Sequence, residues 1–158
     1  MEAYIDIDWA DSIDDRKITS GVALFLGNCL VSWVSKKQNS ISLSTIEAKY
    51  IVDATCCSQI LWMKKTLKEI KVELTNPILI MCDNTSAISI SKNPFMHSKT
   101  KHIPIKFHFL REKVVTNVVR LEYVATKYQL TYDFTKPLER EFFQYLRQQT
   151  GVVTPPPK

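Results

Sequence analysis

The sequence predicts a mixed α/β domain, and three observations carry that expectation. Three strand-like segments come first, a long helical stretch with a buried stripe follows, and a continuous apolar run then ends in an acid. At 158 residues the chain suits one domain with a single substantial core. The expected organisation is a domain over residues 1–153 with a disordered Pro-rich tail over residues 154–158.

The first strand is Tyr4-Ile5-Asp6-Ile7-Asp8-Trp9. Alternation places Ile5, Ile7 and Trp9 on one face and Tyr4, Asp6 and Asp8 on the other. Carboxylates in such a strand lose hydration, so they persist only if paired, hydrogen-bonded or holding a cation. Residues 10–20, with Asp14-Asp15-Arg16-Lys17, predict an exposed loop. Gly21-Val22-Ala23-Leu24-Phe25-Leu26 and Leu30-Val31-Ser32-Trp33-Val34-Ser35 flank the turn signal Gly27-Asn28 and complete an antiparallel meander. Trp33 and Trp62 are expected in the core.

Ser44 followed by Glu47 forms a capping-box signature that opens a helix running to about Ile70. Ile46, Tyr50, Ala54, Cys57 and Leu61 recur at helical spacing and predict its sheet-facing stripe. Glu47 is thus either a capping residue or a carboxylate offered to the sheet. Pro77-Ile78-Leu79-Ile80-Met81-Cys82 predicts a strand buried on both faces and parallel to its neighbour. Sites in open α/β sheets lie beyond the carboxyl ends of such strands, which is where Asp83 falls. Its competing role is N-cap of a short helix over residues 85–91.

Residues 99–112 predict a basic amphipathic helix whose start is limited by Pro104, since proline is comfortable only in a first turn. A last strand over residues 118–124, a short helix over residues 128–135 and a final helix over residues 138–149 complete the expected order.

A net charge of +5 suits a polyanionic partner without establishing one. No apolar run is long enough to span a membrane, and no signal peptide precedes the first strand, which predicts a cytoplasmic or nuclear protein. Cys29, Cys56, Cys57 and Cys82 lack CxxC spacing and predict buried thiols; His97, His102 and His108 lack zinc-site spacing.

A further set of local patterns resembles one family. These are Asp6-Ile7-Asp8-Trp9-Ala10, Val31-Ser32-Trp33, Ser35-Lys36-Lys37-Gln38, Leu43-Ser44-Thr45-Ile46-Glu47-Ala48, Cys82-Asp83-Asn84, Thr100-Lys101-His102-Ile103, His108-Phe109-Leu110-Arg111-Glu112 and Thr135-Lys136-Pro137-Leu138. In this order, over nearly the whole chain, they resemble the ribonuclease H domain of copia-type LTR-retrotransposon Pol polyproteins. The resemblance implies a ribonuclease H-like fold: a five-stranded mixed sheet, three antiparallel strands then two parallel, flanked by helices. It also implies two Mg²⁺ (or Mn²⁺) ions, held by four acids, that hydrolyse the RNA strand of an RNA–DNA hybrid.

Matched position by position, Asp6, Glu47 and Asp83 take three acidic places as metal ligands. At the fourth, where the family reads Gln-Leu-Ala-Asp-Ile-Phe-Thr-Lys-Pro-Leu, Tyr132 replaces the acid and Asp133 falls one position later, as a weaker catalytic candidate. The family's Glu-Ala-Glu-Tyr is Glu47-Ala48-Lys49-Tyr50 here, with Lys49 expected at the surface, and Pro104 replaces another frequent acid. Substrate contacts are expected from Asn84, Ser86, Lys36, Lys37, Lys99, Lys101 and His102, acting on backbone and groove shape. The implied partners are the hybrid and a reverse transcriptase domain N-terminal to this one, in a virus-like particle. Two functions follow as expectations: an endonuclease impaired at its fourth acid, or a weak or inactive nucleic-acid-binding module of the same fold.

Overall fold

A computed structural model describes residues 1–8, 18–38, 44–93 and 105–152. Of the exposed loop expected over residues 10–20, residues 10–17 lie outside the described residues, as do Pro104, the basic residues Lys99, Lys101 and His102, and the tail; Ile18 is buried and Thr19 and Ser20 already belong to a strand.

Five strands form one sheet in the order β3-β2-β1-β4-β5. They are β1 (Glu2–Asp8), β2 (Thr19–Leu26), β3 (Cys29–Lys37), β4 (Ile78–Cys82) and β5 (Val119–Tyr123). β1 pairs antiparallel with β2 and parallel with β4, and β5 pairs parallel with β4. The sheet is therefore the predicted mixed sheet of the ribonuclease H-like fold. β1 occupies its centre, which is why Ile5, Asp6, Ile7 and Asp8 are all buried although they alternate between faces. Gly27 makes the β2–β3 turn at φ +60°, a conformation that costs glycine nothing for lack of a Cβ.

The long helix α1 (Thr45–Glu69) starts where expected, with the Ser44 hydroxyl accepting the Glu47 N–H at 3.1 Å. Tyr50, Ala54 and Cys57 of the predicted stripe are buried, and Ile46 and Leu61 pack at its margin. Ala48, Ile51, Val52, Asp53, Cys56 and Ile60 are buried too. α1 is covered on more than one side because it lies against β1 and β2 and also touches α2 (Thr85–Lys92) and α3 (Phe109–Val115). In β4, burial alternates rather than running through: Leu79 and Met81 are half-buried, so one face of this strand is incompletely covered.

Several expectations need correction. Trp33 and Trp62 are 61% and 65% exposed and sit at the surface, because β3 is an edge strand and Trp62 falls on the outer side of α1. Cys29 is exposed, while Cys56, Cys57 and Cys82 are buried free thiols. The basic segment is described from a 3₁₀ turn at Ile105–Phe107, followed by the separate helix α3. The short helix expected over residues 128–135 is two 3₁₀ turns, Thr126–Tyr128 and Tyr132–Phe134. The last helix, α4 (Arg140–Thr150), ends at Gly151 in the left-handed region, φ +74°.

The turn at Tyr132–Phe134 is seated directly on β2. A Cβ at Gly21 would lie 2.8 Å from Thr135 Cγ2 and 3.1 Å from the Thr131 carbonyl oxygen, so only glycine lets this turn approach. Gly21→Ala is expected to lower stability by about 1–3 kcal/mol through overpacking, measured by urea unfolding. An unchanged midpoint would mean the turn can shift without loss.

Candidate functional site

The parallel β1–β4 pairing covers Glu2↔Leu79, Ala3↔Ile80 and Tyr4↔Met81 and goes no further. Beyond it the two strands part at their carboxyl ends. Gln129, fully buried, bridges the opening: its Nε2 donates to the Ile5 carbonyl at 2.8 Å and to the Met81 carbonyl at 3.3 Å. The Thr131 hydroxyl donates to Gln129 Oε1 at 3.1 Å, so both ends of the amide are used. A crevice of this kind, at the carboxyl ends of adjacent parallel strands, is where α/β sheets bind ligands. Asp6 and Asp83 stand on its two sides.

Between them lies Lys49. Its ammonium is ion-paired to Asp83 Oδ1 and lies 4.0 Å from Asp6 Oδ1. The three side chains are only 12%, 10% and 2% exposed, in the order Lys49, Asp83, Asp6, so this is an enclosed ion cluster. Its lining of Ile5, Asp6, Ile7, Val52 and Cys82 leaves no room for a water molecule beside the lysine. Lys49 is therefore not the surface change that was expected. It falls three residues after Ile46 and four before Asp53, on the same side of α1 as the buried stripe. That spacing was the available signal.

Asp6 has a second set of partners. The Thr135 hydroxyl donates to its Oδ2 at 2.7 Å, from the turn that Gly21 admits. Burial pushes the Asp6 carboxyl above its ordinary pKa, against the lowering influence of Thr135, Lys49 and Lys136, while Asp83 adds to the rise. Lys136 donates to the Tyr132 hydroxyl at 2.9 Å and lies over that ring at 4.1 Å. Burial acts to lower the Lys136 pKa, but the Tyr132 hydroxyl and the charges of Asp6 and Asp8 leave it raised. Tyr132, in the place of the fourth acid, thus directs a cation toward Asp6.

Beneath the cluster is Asp53, completely buried, with neither carboxylate oxygen hydrogen-bonded in ordinary geometry among the described residues. The thiol of Cys82 is near enough to favour its ionised form slightly, but thiols are weak donors. Burial pushes the Asp53 carboxyl up to about 8; Lys49 pulls it down and Asp83 adds to the rise.

The other predicted residues divide as follows. Glu47 is buried beside the α1 cap, two residues and about 200° of helical turn from Lys49. Among the described residues, no three acidic, histidine or cysteine side chains are grouped to hold a metal ion. Asp83 is spared the capping role because Asn84 takes it, its Oδ1 accepting the Ala87 N–H at 2.9 Å. Asn84 is thereby a cap before it is a substrate contact, and Ser86 is exposed on the first turn of α2. Lys36 and Lys37 are exposed at the end of β3, in register through β2 with Ile7 and Asp8. Asp133 belongs to the turn Tyr132–Phe134, and its side chain lies outside the described set, as do Lys99, Lys101 and His102. Sequence reasoning missed Lys49, Asp53, Gln129, Thr135 and Lys136 as members of this site.

These residues do not fit a pair of divalent ions. Mg²⁺ takes oxygen ligands, and an ammonium seated between the two carboxylates both occupies the position and repels a dication. Burial places Cys82 and Cys56 well above the usual thiol range, so they act as packing groups rather than thiolate ligands.

The sheet order, with acids at the parted ends of β1 and β4, defines a ribonuclease H-like α/β domain. No protein-family model matches the chain. It is, however, 40% identical over 157 residues to the retrovirus-related Pol polyprotein from transposon RE1 of Arabidopsis thaliana, and 39% identical over 157 residues to that from transposon RE2 of the same plant. It is also 32% identical over 152 residues to the Pol polyprotein from transposon TNT 1-94 of Nicotiana tabacum. These matches cover 99%, 99% and 96% of this chain but only 11% of each polyprotein, so the chain spans about a tenth of the relatives it matches. The chain derives from the Pol polyproteins of copia-type retrotransposons.

Proposed function

We propose that this domain is a ribonuclease H-type module of a copia-like Pol that engages RNA–DNA hybrids without cleaving them by the two-metal route. The observation that carries the reading is Lys49, seated on Asp83 and facing Asp6 where a cation would have to bind. The tyrosine at the fourth acidic place supports it, since Tyr132 recruits Lys136 rather than a metal. In this reading the acids hold the crevice together, and hybrid contact falls to exposed bases such as Lys36 and Lys37, together with Lys99, Lys101 and His102. Such contacts go to phosphates and groove shape, so they confer affinity without base preference. A net charge of +5 and descent from Pol polyproteins favour a nucleic-acid partner over an acidic protein. The reverse transcriptase portion of a Pol protein is the proposed neighbour in the particle.

The test is incubation of a labelled hybrid with the protein and Mg²⁺ or Mn²⁺, beside Asp83→Asn. No cleavage above that control is expected. Metal-dependent cleavage by the wild type would overturn the reading and return Asp6 and Asp83 to the endonuclease role with Mg²⁺. Filter binding across a salt series is expected to give a steep loss of affinity, and Lys36→Gln with Lys37→Gln should lower the salt slope by about one unit per lysine that contacts phosphate. An absence of hybrid binding at low salt would reject the module.

A further inference from the structure

We propose that Trp33 is a stacking platform for an unpaired base, so that the domain holds an RNA–DNA hybrid best where the hybrid runs on into a single strand. The inference rests on the hybrid-binding reading above and names the form of nucleic acid that this surface takes.

Two independent observations carry it. The first is the setting of the indole, 61% exposed on β3, an edge strand of the sheet. Tryptophan is highly buried on average, and Val31 on the same face is exposed too, so this is an open apolar patch rather than one stray side chain. The residue opposite Trp33 on β2 is Ala23, and toward the lysine end of the strand the next on that face is Gly21. A methyl group and a hydrogen cannot cover a ring, so β2 offers the indole no bulky neighbour there. The second observation is charge. Alternation sets Trp33, Ser35 and Lys37 on one face of β3, with Lys36 beside them at the strand end. Four residues of strand span about 13 Å, so a backbone held at Lys37 passes the indole within a few nucleotides. From Ile18 to Thr45 the chain has no aspartate or glutamate, so this hairpin turns no carboxylate toward a phosphate. The Ser35 hydroxyl donates to the Phe134 carbonyl at 2.5 Å, which ties the lysine end of β3 to the turn beside the crevice.

Cations next to an open aromatic ring hold single strands: the cations take phosphates, and the ring takes the face of a base. Bases within a duplex have both faces stacked, so only an unpaired one can use the indole. A second copy of this chain would bring a net charge of +5 against the same lysines, which makes the nucleic acid the better match.

The experiment measures binding of wild type, Trp33→Ala and Trp33→Phe to a blunt hybrid and to the same hybrid with a short single-stranded extension. Separate arms carry the extension on the RNA strand and on the DNA strand, and a gain in either supports the platform. Wild type is expected to bind the extended hybrid about ten-fold more tightly, within the range of one stacked base. Trp33→Ala should lose this gain and keep its affinity for the blunt hybrid, and Trp33→Phe should retain part of the gain. Indole fluorescence gives a second reading. The extended hybrid should quench wild type more than the blunt one does, a difference that Trp33→Phe loses and Trp62→Phe keeps. Should Trp33→Ala prove unfolded, this quenching decides. Equal affinity of wild type for both hybrids, or a gain that survives in folded Trp33→Ala, overturns the proposal. If Trp33→Ala abolishes self-association in sedimentation and leaves the gain intact, the face belongs to a second copy and the proposal falls. Failure to bind either hybrid rejects the module and this inference together, whereas a bound blunt hybrid without a gain rejects the platform alone.

Discussion

Lys49→Met in metal-free buffer is expected to lower the unfolding free energy by about 3–5 kcal/mol, the usual cost of breaking a buried ion pair from one side. Methionine keeps most of the length and apolar volume of the lysine stem, so the loss isolates the charge rather than a cavity. What remains is a pair of mostly buried acids, Asp6 and Asp83, with no ammonium between them. Their burial is the reason for the size of the effect: an exposed pair would give about 1 kcal/mol or less. The triple variant Lys49→Met, Asp6→Asn, Asp83→Asn should recover most of the loss, because neutral groups no longer repel and a buried ion cluster replaced as a whole is often neutral in stability. Urea unfolding of wild type, Lys49→Met, Asp6→Asn with Asp83→Asn, and the triple variant measures it. A loss below 1 kcal/mol for Lys49→Met would mean that water or chain movement compensates the acids, and the cluster would not be the keystone of the crevice.

Stability is expected to fall as pH rises from about 4 to about 8, with Asp53 as the principal cause. Its carboxyl is pushed up to about 8 in the folded protein from an ordinary value of 3.8. Between those two values the native state holds a proton that the unfolded chain has released, so raising the pH removes stability across that window. Below the lower value both states are protonated and the group contributes no slope. A single group of this kind changes stability by at most about 1.4 kcal/mol per pH unit. Asp53→Asn is therefore expected to flatten the profile between pH 5 and pH 8, an interval inside the window set by the two values. The variant should also be more stable than wild type at the upper end, since the amide fits the same space without a charge. Urea midpoints across the range for both proteins decide it. A wild-type profile that rises with pH, or an Asp53→Asn profile with the same slope, would place the pH dependence elsewhere. Cys56 and Cys82, whose thiols burial raises well above this window, add nothing to the slope there.

The strands, the capped start of α1 and the sheet-facing stripe of Tyr50, Ala54 and Cys57 were legible because each is written in a local period or a local hydrogen bond. Period two gave β1 to β3, period near 3.6 gave α1, and Ser44 with Glu47 gave its first turn. The apolar run before Asp83 was enough to place a parallel strand. The exposed tryptophans were misread because hydrophobic character says little about a residue on an edge strand or the outer side of a helix. The turn at Tyr132–Phe134 was misread as helix because its geometry comes from packing on Gly21 and from the Gln129 amide, both remote in sequence.

The same division runs through the site. By itself the sequence determined the domain's class, its descent-bearing motifs and the placing of Asp6 on a strand and Asp83 just past the end of another, since these follow from patterns read within a few residues. Only the tertiary structure decided which side chain of α1 meets them. One position along a helix changes direction by about 100°, so the docking of α1 on the sheet, rather than any local preference, brought Lys49 to Asp83 and Asp6. The same docking enclosed Asp53, and enclosure is what turns an ordinary lysine into the charge that holds two strands' acids together.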